Sequence, residues 1–270
     1  MSIIRTIKDL LRQSPVYANI SYLSASDKLK GKRIIVTGGT GGIGQAMAKR
    51  FVAEGAQVLI AGRNEEKLAS ISKELGCLAL KLDVTQVETF TDFLNKAIEL
   101  LGGVDCLVNN AGISLHETFR TVTPEGFDAQ VSTNLRGPFF LTQAYINYLR
   151  EHDFGGQILF ISSESGETAD VRPYGITKAA LNSFVQGLAY SYLRYKIRVN
   201  AIAPGITATA MTGYDPNDDL ISASNQIGRI YLPEEVAELA AFLISDAAGS
   251  ISGQIIACNN GNSINARWKR

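Results

Sequence analysis

The fold of this chain is decided by residues 33–44, RIIVTGGTGGIG. An apolar, strand-like run ends at Thr37, five of the next seven residues are glycines, and a segment with helical periodicity begins at residue 42. Glycines permit a tight turn and let a ligand approach the backbone, while the N-terminus of the following helix offers free amide N–H groups and the positive end of its dipole. Strand, glycine turn and helix in this order predict a site for the phosphates of a dinucleotide.

The same alternation of strand and helix continues along the chain. Continuous apolar strands separated by helices are typical of a parallel sheet that helices cover on both faces, and right-handed crossovers then make the sheet doubly wound. We therefore predict an α/β fold, a Rossmann-like doubly wound parallel sheet of about seven strands with helices on both faces. The predicted strands are 33–37, 57–61, 77–82, 105–109, 157–162, 197–203 and 254–258, and the predicted helices are 42–54, 65–75, 86–101, 124–150, 174–195 and 233–246.

The domain organisation is predicted to be one nucleotide-binding domain, residues 31–270, behind an N-terminal extension, residues 1–30. Residues 1–12 place their apolar side chains on one face of a short helix, which ends before Pro15. This helix either docks on the body or on a neighbouring subunit, or lies on a membrane surface as an anchor. Its short length and mixed charges favour docking.

Composition excludes several classes of protein. Of the 270 residues 46% are hydrophobic and 19% charged, which excludes general disorder, and 26 basic against 26 acidic residues give no overall charge for nucleic acid or an anionic membrane. No apolar run reaches the ~18 residues of a membrane span, so we expect a cytoplasmic protein. Cys77, Cys106 and Cys258 lie in apolar surroundings and are predicted to be free thiols, and His116 and His152 lack metal-ligand spacing and are expected to be exposed, so no metal site is predicted.

The glycine spacing TGxxxGxG resembles that of the short-chain dehydrogenase/reductase family in its compact single-domain form. Further motifs of that family follow in the family's order, and together they cover residues 31–261. The resemblance implies an oxidoreductase that interconverts an alcohol and a carbonyl compound by hydride transfer with a nicotinamide dinucleotide. The motifs are Asp83-Val84, Asn109-Asn110-Ala111-Gly112, Asn134, Ser162-Ser163-x-x-Gly166, Tyr174-x-x-x-Lys178 and Pro204-Gly205-x-x-x-Thr209.

The resemblance also implies where the cofactor binds. Asp83 would meet the adenine amino group, Val84 would pack on the adenine ring, and residues 110–112 would line the ribose side. The implied cofactor-binding residues are Gly38, Thr40, Gly42, Ile43, Gly44, Arg63, Asp83, Val84, Asn110, Ala111, Gly112, Tyr174, Lys178, Pro204, Gly205, Ile206 and Thr209.

The end of the second strand bears on the choice of cofactor. A carboxylate there binds the ribose 2′-hydroxyl of NAD, whereas an arginine accepts the 2′-phosphate of NADP. Gly62 occupies the position of that carboxylate and Arg63 follows it, so NADP(H) is favoured over NAD(H), although Arg63 could equally be a solvated surface residue. Glu65 is better explained as a first-turn residue behind an N-cap at Asn64.

Tyr174 and Lys178 are four residues apart on a predicted helix, which puts both side chains on one face. A nearby ammonium favours the phenolate and should lower the tyrosine pKa from its usual ~10. By resemblance, Tyr174 is the general acid and base, and Lys178 lowers its pKa and holds the nicotinamide ribose. Ser163 would polarise the carbonyl group, and Asn134 would order a proton-relay water. In isolation each of these four residues would be an ordinary helix or turn residue.

Two departures from the family pattern stand out. Only eleven positions separate Ser163 from Tyr174, a shorter interval than is usual in the family. Asn259-Asn260-Gly261 stands where relatives commonly carry Asp-Gly-Gly, which is expected to alter subunit contacts rather than chemistry. Three rival functions remain: an idle NADP-binding sensor or scaffold, a nucleotide-sugar epimerase or dehydratase, and an enoyl reductase. The presence of both Tyr174 and Lys178 disfavours the sensor or scaffold. The chain is too short for the larger substrate domain of the epimerases and dehydratases, and the four-residue spacing of Tyr174 and Lys178 disfavours an enoyl reductase.

The resemblance implies that the substrate is a small carbonyl or alcohol compound, and the sequence does not identify which one. Segments 164–173 and 207–231 should shape its pocket. Their acidic residues suggest a polar or cationic substrate, or are simply solvated; they include Glu164, Glu167, Asp170, Asp215, Asp218 and Asp219. Family members pair helices equivalent to 124–150 and 174–195 across a two-fold axis, so a homotetramer or homodimer is expected, the alternative being aromatic packing within one subunit.

Overall fold

A computed structural model describes residues 26–223, 225 and 227–264. Its seven strands form one sheet in the order β3-β2-β1-β4-β5-β6-β7, and every pair of neighbours is parallel. The predicted fold class is therefore confirmed. The strands are β1 (Arg33–Thr37), β2 (Gln57–Gly62), β3 (Leu78–Lys81), β4 (Cys106–Asn109), β5 (Gly156–Ile161), β6 (Ile197–Pro204) and β7 (Ile255–Cys258).

Helices connect the strands on both faces of the sheet. The predicted helix 124–150 is wrong in one respect, because a π-helical turn, Ser132–Arg136, divides it into two. Pro138 follows this turn and has no N–H to donate to residue 134, so a continuous α-helix cannot run through the segment. The α-helices are α1 (Gly42–Ala53), α2 (Glu65–Leu75), α3 (Phe90–Leu101), α4 (Pro124–Val131), α5 (Gly137–Glu151), α6 (Pro173–Tyr192) and α7 (Pro233–Ile244).

The sheet separates two apolar cores. Successive side chains of a strand point to opposite faces, so Ile35 joins the core beneath α3, α5 and α6, while Ile34 and Val36 join the core beneath α1 and α7. All eight residues of β6 are buried, as expected of a strand covered on both faces. This two-sided packing holds the carboxyl ends of the strands at one edge of the sheet.

The lead-in before β1 is fastened to the body. Leu29 is fully buried in the core beneath α1, and Glu54 at the end of α1 accepts hydrogen bonds from the backbone N–H groups of Ser26 (3.0 Å) and Lys28 (3.2 Å). Residues 26–30, which precede the predicted domain boundary at residue 31, thus pack against the domain. The boundary itself stays a prediction. The predicted helix 1–12 lies outside the described residues.

The cysteines and histidines agree with the sequence analysis. All three cysteines are free, and burial raises the pKa of Cys106 to about 12 and that of Cys258 to about 11. Both His116 and His152 are exposed. Within the described part of the chain, no helix is long and apolar enough to cross a membrane.

Candidate active site

A cavity of about 790 Å³ opens where the strands end. Its walls come from the residues that follow or close β1 to β6, on both sides of the point where the strand order reverses between β1 and β4. In open parallel sheets this reversal leaves a crevice in which ligands bind. All predicted site residues except Gly44 and Asn134 line the cavity.

The glycine turn after β1 forms one wall of the cavity. Gly38 has φ +65°, and a Cβ there would lie 2.9 Å from the Cα of Ala111. Gly41 is the N-cap of α1 and offers no side chain to the first-turn amide groups, and a Cβ on it would meet no atom within 4 Å. The helix therefore presents free N–H groups beside open space, which suits phosphate groups.

Gly44 was predicted to bind the cofactor, and this stays a prediction. It does not line the cavity, and a Cβ on it would collide with the carbonyl oxygen of Gly38. Its missing side chain lets α1 pack tightly on the turn. Gly44 therefore shapes the cavity from behind.

Asn110 links the two strand ends that flank the reversal. Its Nδ2 donates to the carbonyl oxygens of Thr37 (3.0 Å) and Gly38 (3.1 Å), and its backbone N–H donates to Thr37 Oγ1 (3.0 Å). Thr37 Oγ1 in turn donates to the carbonyl of Val108 (3.2 Å). The Asn110 motif predicted from the sequence is thus also a structural link that holds the glycine turn in place.

The far end of the cavity carries the residues predicted to meet the adenosine. Arg63 lines it and is exposed. Asp83 Oδ1 accepts from the backbone N–H (2.9 Å) and the hydroxyl (2.8 Å) of Thr85, which fixes the turn after β3. As predicted, Asn64 caps α2 through the N–H of Lys67 (2.8 Å), and Glu65 is engaged by Lys81 at 2.8 Å. Arg63 is thus the charged group at the end of β2 that faces the cavity.

Lys178 lies at the other end of the cavity, on the second turn of α6. Its Nζ donates to the carbonyl of Ile161 (2.7 Å) and lies 5.7 Å from the centre of the Tyr174 ring. Burial lowers the pKa of Lys178 to about 8. The ammonium is held between the end of β5 and the tyrosine.

The pKa of Tyr174 moves opposite to the expectation. Burial raises it, because the phenolate would lose its hydration, whereas the Ser163 hydroxyl and the Arg172 charge act to lower it. Lys178 contributes no resolved lowering, since its Nζ faces the Ile161 carbonyl and burial disfavours its own charge. In this structure Tyr174 is accordingly a protonated phenol at neutral pH.

The two serines after β5 differ in surroundings. The Ser162 hydroxyl is engaged with α6, 2.6 Å from Asn182 Oδ1 and 3.4 Å from the carbonyl of Lys178. Ser163 lines the cavity, and its Oγ accepts from the N–H of Ser165 (3.2 Å), which leaves its proton for Tyr174 or a ligand. This arrangement favours Ser163 over Ser162 as the group facing a substrate.

Asn134 lies in the π-helical turn and not at the cavity wall. Its Nδ2 donates to the carbonyl of Ile113 (2.9 Å) and reaches the hydroxyl of Thr177 (3.3 Å), while its Oδ1 accepts from the N–H of Ile113 (2.8 Å). The side chain therefore fastens the segment after β4 to α6. π-Helical turns are rare and frequent at functional sites.

His116 was predicted only to be exposed, and it also lines the cavity. His116 Nε2 lies 2.9 Å from the carbonyl of Met211, so the segments after β4 and β6 meet across the cavity mouth. Arg172 and Glu164 also line the cavity, and Arg172 is paired with Asp170 at 2.5 Å. The sequence signal for His116 was its position shortly after the Asn109–Gly112 motif, which itself was predicted to lie at the site.

The expectation of an acidic pocket holds for one residue only. Glu164 lines the cavity, whereas the other acidic residues of the two segments do not. Asp170 is held by Arg172, and Asp215 forms a turn with the N–H of Asn217 (2.8 Å). The solvated-loop interpretation therefore fits the exposed acids of residues 215–219.

Comparison with known proteins decides the family. A model of the short-chain dehydrogenase/reductase family, described as "Enoyl-(Acyl carrier protein) reductase", matches residues 38–263. This chain is a short-chain dehydrogenase/reductase. As a member of that family it is an oxidoreductase that acts on carbonyl and alcohol groups and uses a nicotinamide cofactor.

Similar short-chain dehydrogenases/reductases come from several bacteria. An uncharacterized oxidoreductase of Mycobacterium bovis is 36% identical over 87% of this chain and 98% of its own length. A 3-oxoacyl-[acyl-carrier-protein] reductase of Aquifex aeolicus is 33% identical over the same shares. The crystal structure of a 3-ketoacyl-(acyl-carrier-protein) reductase of Brucella melitensis complexed with NADH has 31% identity and a TM-score of 0.81, over 87% of this chain and 99% of that one.

The cavity fits the dinucleotide that this family uses. Uncapped amide groups of α1 and the open space at Gly41 suit a pyrophosphate. Asp83 and Val84, predicted to meet the adenine, line the same cavity as Tyr174 and Lys178, predicted to meet the nicotinamide end.

Proposed function

We propose that this protein is an NADP(H)-dependent reductase of a carbonyl compound, with Tyr174 as its general acid. The observation that carries the proposal is the convergence of Ser163, Tyr174 and Lys178 on one end of a cavity whose other end is the uncapped glycine turn. An idle cofactor-binding protein has no need of three such groups at one point.

The residues divide the work of the reaction. A nicotinamide cofactor bound in the cavity supplies hydride for reduction and accepts it in oxidation. As the carbonyl carbon gains the hydride, the C=O π electrons move to oxygen, and Tyr174 gives its phenolic proton to that oxygen. Ser163 donates a hydrogen bond to the same oxygen as negative charge develops there. Tyr174, whose pKa burial raises, carries the proton that reduction requires.

Lys178 and Asn134 support this chemistry. Lys178 would hold the nicotinamide ribose, with its Nζ kept in place beside the tyrosine by the carbonyl of Ile161. Asn134 fastens Ile113 and touches Thr177 beside Lys178. We propose that Asn134 orders a water molecule that relays protons between Lys178 and solvent.

The preference for NADP(H) rests on Arg63. With Gly62 in place of a carboxylate, the end of β2 offers a guanidinium to a 2′-phosphate, and a planar guanidinium suits phosphate oxygens. The Brucella relative was crystallised with NADH, so the two cofactors must be compared directly on this protein.

For the substrate, 3-oxoacyl thioesters are the first candidates, because the Aquifex relative is named for reduction of one. The cavity wall includes apolar Met211 and Tyr214 as well as the charged Arg172. Enoyl thioesters are the second candidates, since the matching family model carries that name. Carbonyl reduction is favoured, because it uses a phenol and a serine hydroxyl placed for one oxygen atom.

Removal of the Tyr174 hydroxyl tests the proposal. In Tyr174→Phe we expect kcat for the best ketone substrate to fall by about 10²–10⁴-fold, while NADPH affinity measured by fluorescence titration stays unchanged. Tyr190→Phe is the matched control, because Tyr190 lies on the same helix and is 93% exposed. Its activity should equal that of the native enzyme.

Three outcomes would count against the proposal. Unchanged turnover in Tyr174→Phe would remove the assigned acid. Turnover of enoyl but not oxoacyl thioesters would assign C=C reduction. Tight NADPH binding with no turnover on a panel of ketones, sugars, thioesters and steroids would favour the sensor or scaffold.

We further propose a homotetramer or homodimer located in the cytoplasm. Phe139 of α5 is 37% exposed and stacks on Phe184 of α6 with ring centres 4.7 Å apart, on the helices that the family resemblance assigns to subunit pairing.

A further inference from the structure

The segment after β7 lies against the turn that follows Ser163. Glu164 Oε2 accepts hydrogen bonds from Asn259 Nδ2 (3.1 Å) and Asn262 Nδ2 (3.0 Å). Beside them, Ser263 Oγ donates to Glu167 Oε2 (2.6 Å). Three side chains of the C-terminal segment thus donate hydrogen bonds to two carboxylates of the turn, although the two segments are nearly a hundred residues apart in the sequence.

Asn259 is itself held rigidly in this contact. It is 1% exposed, its Oδ1 accepts from the N–H of Gly261 (3.1 Å), and its carbonyl oxygen accepts from the hydroxyl of Tyr231 (2.6 Å). The oxygen of the side-chain amide is therefore engaged, and its NH2 group is the one that meets Glu164. A carboxylate can only accept, so the pair has a fixed direction and is strengthened by the charge.

We propose that Glu164 is a positioning residue of the active site: held by Asn259 and Asn262, it fixes the turn that carries Ser163 and places a negative charge in the wall of the cavity that contains Tyr174. Glu164 directly follows Ser163 in the chain and lines the cavity. Ser163 is the first residue of this turn and must hold its hydroxyl on the substrate oxygen. The inference rests on the proposed roles of Ser163 and Tyr174.

The proposal can be measured through the pKa of Tyr174, which depends on the charges around its hydroxyl. Glu164 acts to raise the pKa of Tyr174, and Arg172, from the loop before α6, acts to lower it. Lys178 faces the tyrosine from the same helix, with its Nζ bonded to Ile161. The remaining titratable or charged side chains of the cavity wall, which contribute no resolved shift to Tyr174, are Arg63, Asp83, His116 and Tyr214.

Removal of the Glu164 charge should shift the pH profile. In Glu164→Gln the pKa of Tyr174 falls, so the part of the alkaline limb of kcat/KM that Tyr174 sets, at higher pH than the titration of Lys178, should move to lower pH by about half a unit or more. NADPH affinity should stay unchanged. Glu167→Gln is the matched control, because it removes a carboxylate of the same turn that does not line the cavity and leaves an oxygen for Ser263. Its alkaline limb should stay in place.

Exchanging donor and acceptor tests the contact itself. Asn259→Asp sets a second carboxylate against Glu164, and we expect kcat to fall about tenfold or more from the lost charge-assisted bond and the repulsion. Adding Glu164→Gln restores a hydrogen bond between the two positions, with its direction reversed. The amide introduced at position 164 can then donate to the carboxylate introduced at position 259. The double variant should therefore recover most of the kcat that Asn259→Asp loses.

Two results would overturn the inference. One is an alkaline limb in Glu164→Gln that coincides with those of the native enzyme and Glu167→Gln. The other is a double variant no more active than Asn259→Asp alone. If Asn259→Asp does not fold, the pH profile of Glu164→Gln decides alone. Tyr174→Phe separates the two levels: if it is inactive while Glu164→Gln shifts nothing, only this inference fails, whereas an active Tyr174→Phe removes the proposed function itself.

Discussion

Lys178 is buried beside Tyr174, and its charge lowers the stability of the fold that positions it. Its pKa falls from 10.5 to about 8 because burial removes water from the ammonium. Between these two pH values the unfolded chain holds the proton more tightly than the folded one, so the free energy of unfolding rises with pH. Below pH 8 the cost is present in full, and above 10.5 it is absent. The site therefore carries a charge that disfavours folding at neutral pH.

Replacement of Lys178 by methionine should expose this cost. Over the interval from pH 8 to 10.5 the native protein should gain about 3 kcal/mol in free energy of unfolding relative to Lys178→Met, as follows from the shift of this one group. Urea unfolding of the two cofactor-free proteins at a series of pH values measures the difference. Stability curves that run parallel across this interval would show that the lysine titrates normally. Activity should be lost in the variant at every pH.

The proposed role of Arg63 in the choice of cofactor can be tested at the same scale. In Arg63→Asp the loss of a charge-assisted contact and the new repulsion should weaken NADPH binding about 10- to 100-fold, while NADH binding stays equal or improves. Lys67→Asp makes the same charge change on an exposed residue of α2 that does not line the cavity, and both affinities should stay as in the native protein. Equal NADPH affinity in Arg63→Asp would make Arg63 a surface residue.

At the scale of the element, the regular structure was predictable to within a few residues. Strands such as β1 and β6 are buried on both faces, so their sequences are continuous apolar runs with clear ends. The division of α4 from α5 was missed, because the apolar periodicity continues through the π-helical turn and Pro138 also suits the start of a helix. Periodicity reports which face is buried, and a local change in hydrogen bonding leaves it almost unaltered.

Site residues that belong to sequence motifs could be predicted, whereas contacts between residues far apart in the sequence could not. Ser163, Tyr174 and Lys178 belong to ordered motifs at strand and helix ends, and the fold brings motifs at those ends together. The contact of Glu164 with Asn259 joins residues 95 apart and leaves no periodic trace. The pKa of Tyr174 was predicted in the wrong direction, because residue spacing gives the neighbouring charge but not the depth of burial.

At the scale of the whole molecule, the stacked pair of Phe139 on α5 and Phe184 on α6, of which Phe139 is exposed, bears on assembly. We expect light scattering to give a mass of about two or four times the 29.1 kDa of one chain. Phe139→Asp should shift the protein toward the monomer, because a buried unpaired carboxylate would disfavour the interface. Phe154→Asp, which alters a residue 50% exposed beyond the opposite end of α5, should leave the mass unchanged. A native monomer would restrict Phe139 and Phe184 to packing within one subunit.

The two ends of the described chain lie at different distances from the chemistry. Ser26 is fastened to Glu54 at the end of α1, and the twelve residues of α1 span about 18 Å from there back to the glycine turn. Residues 259–263, in contrast, touch the turn that carries Ser163. A fluorophore or a surface tether attached at Ser26 itself is therefore about one helix length from the glycine turn. The same attachment at residue 263 would lie next to the turn that carries Ser163 and would distort any rate measured with it.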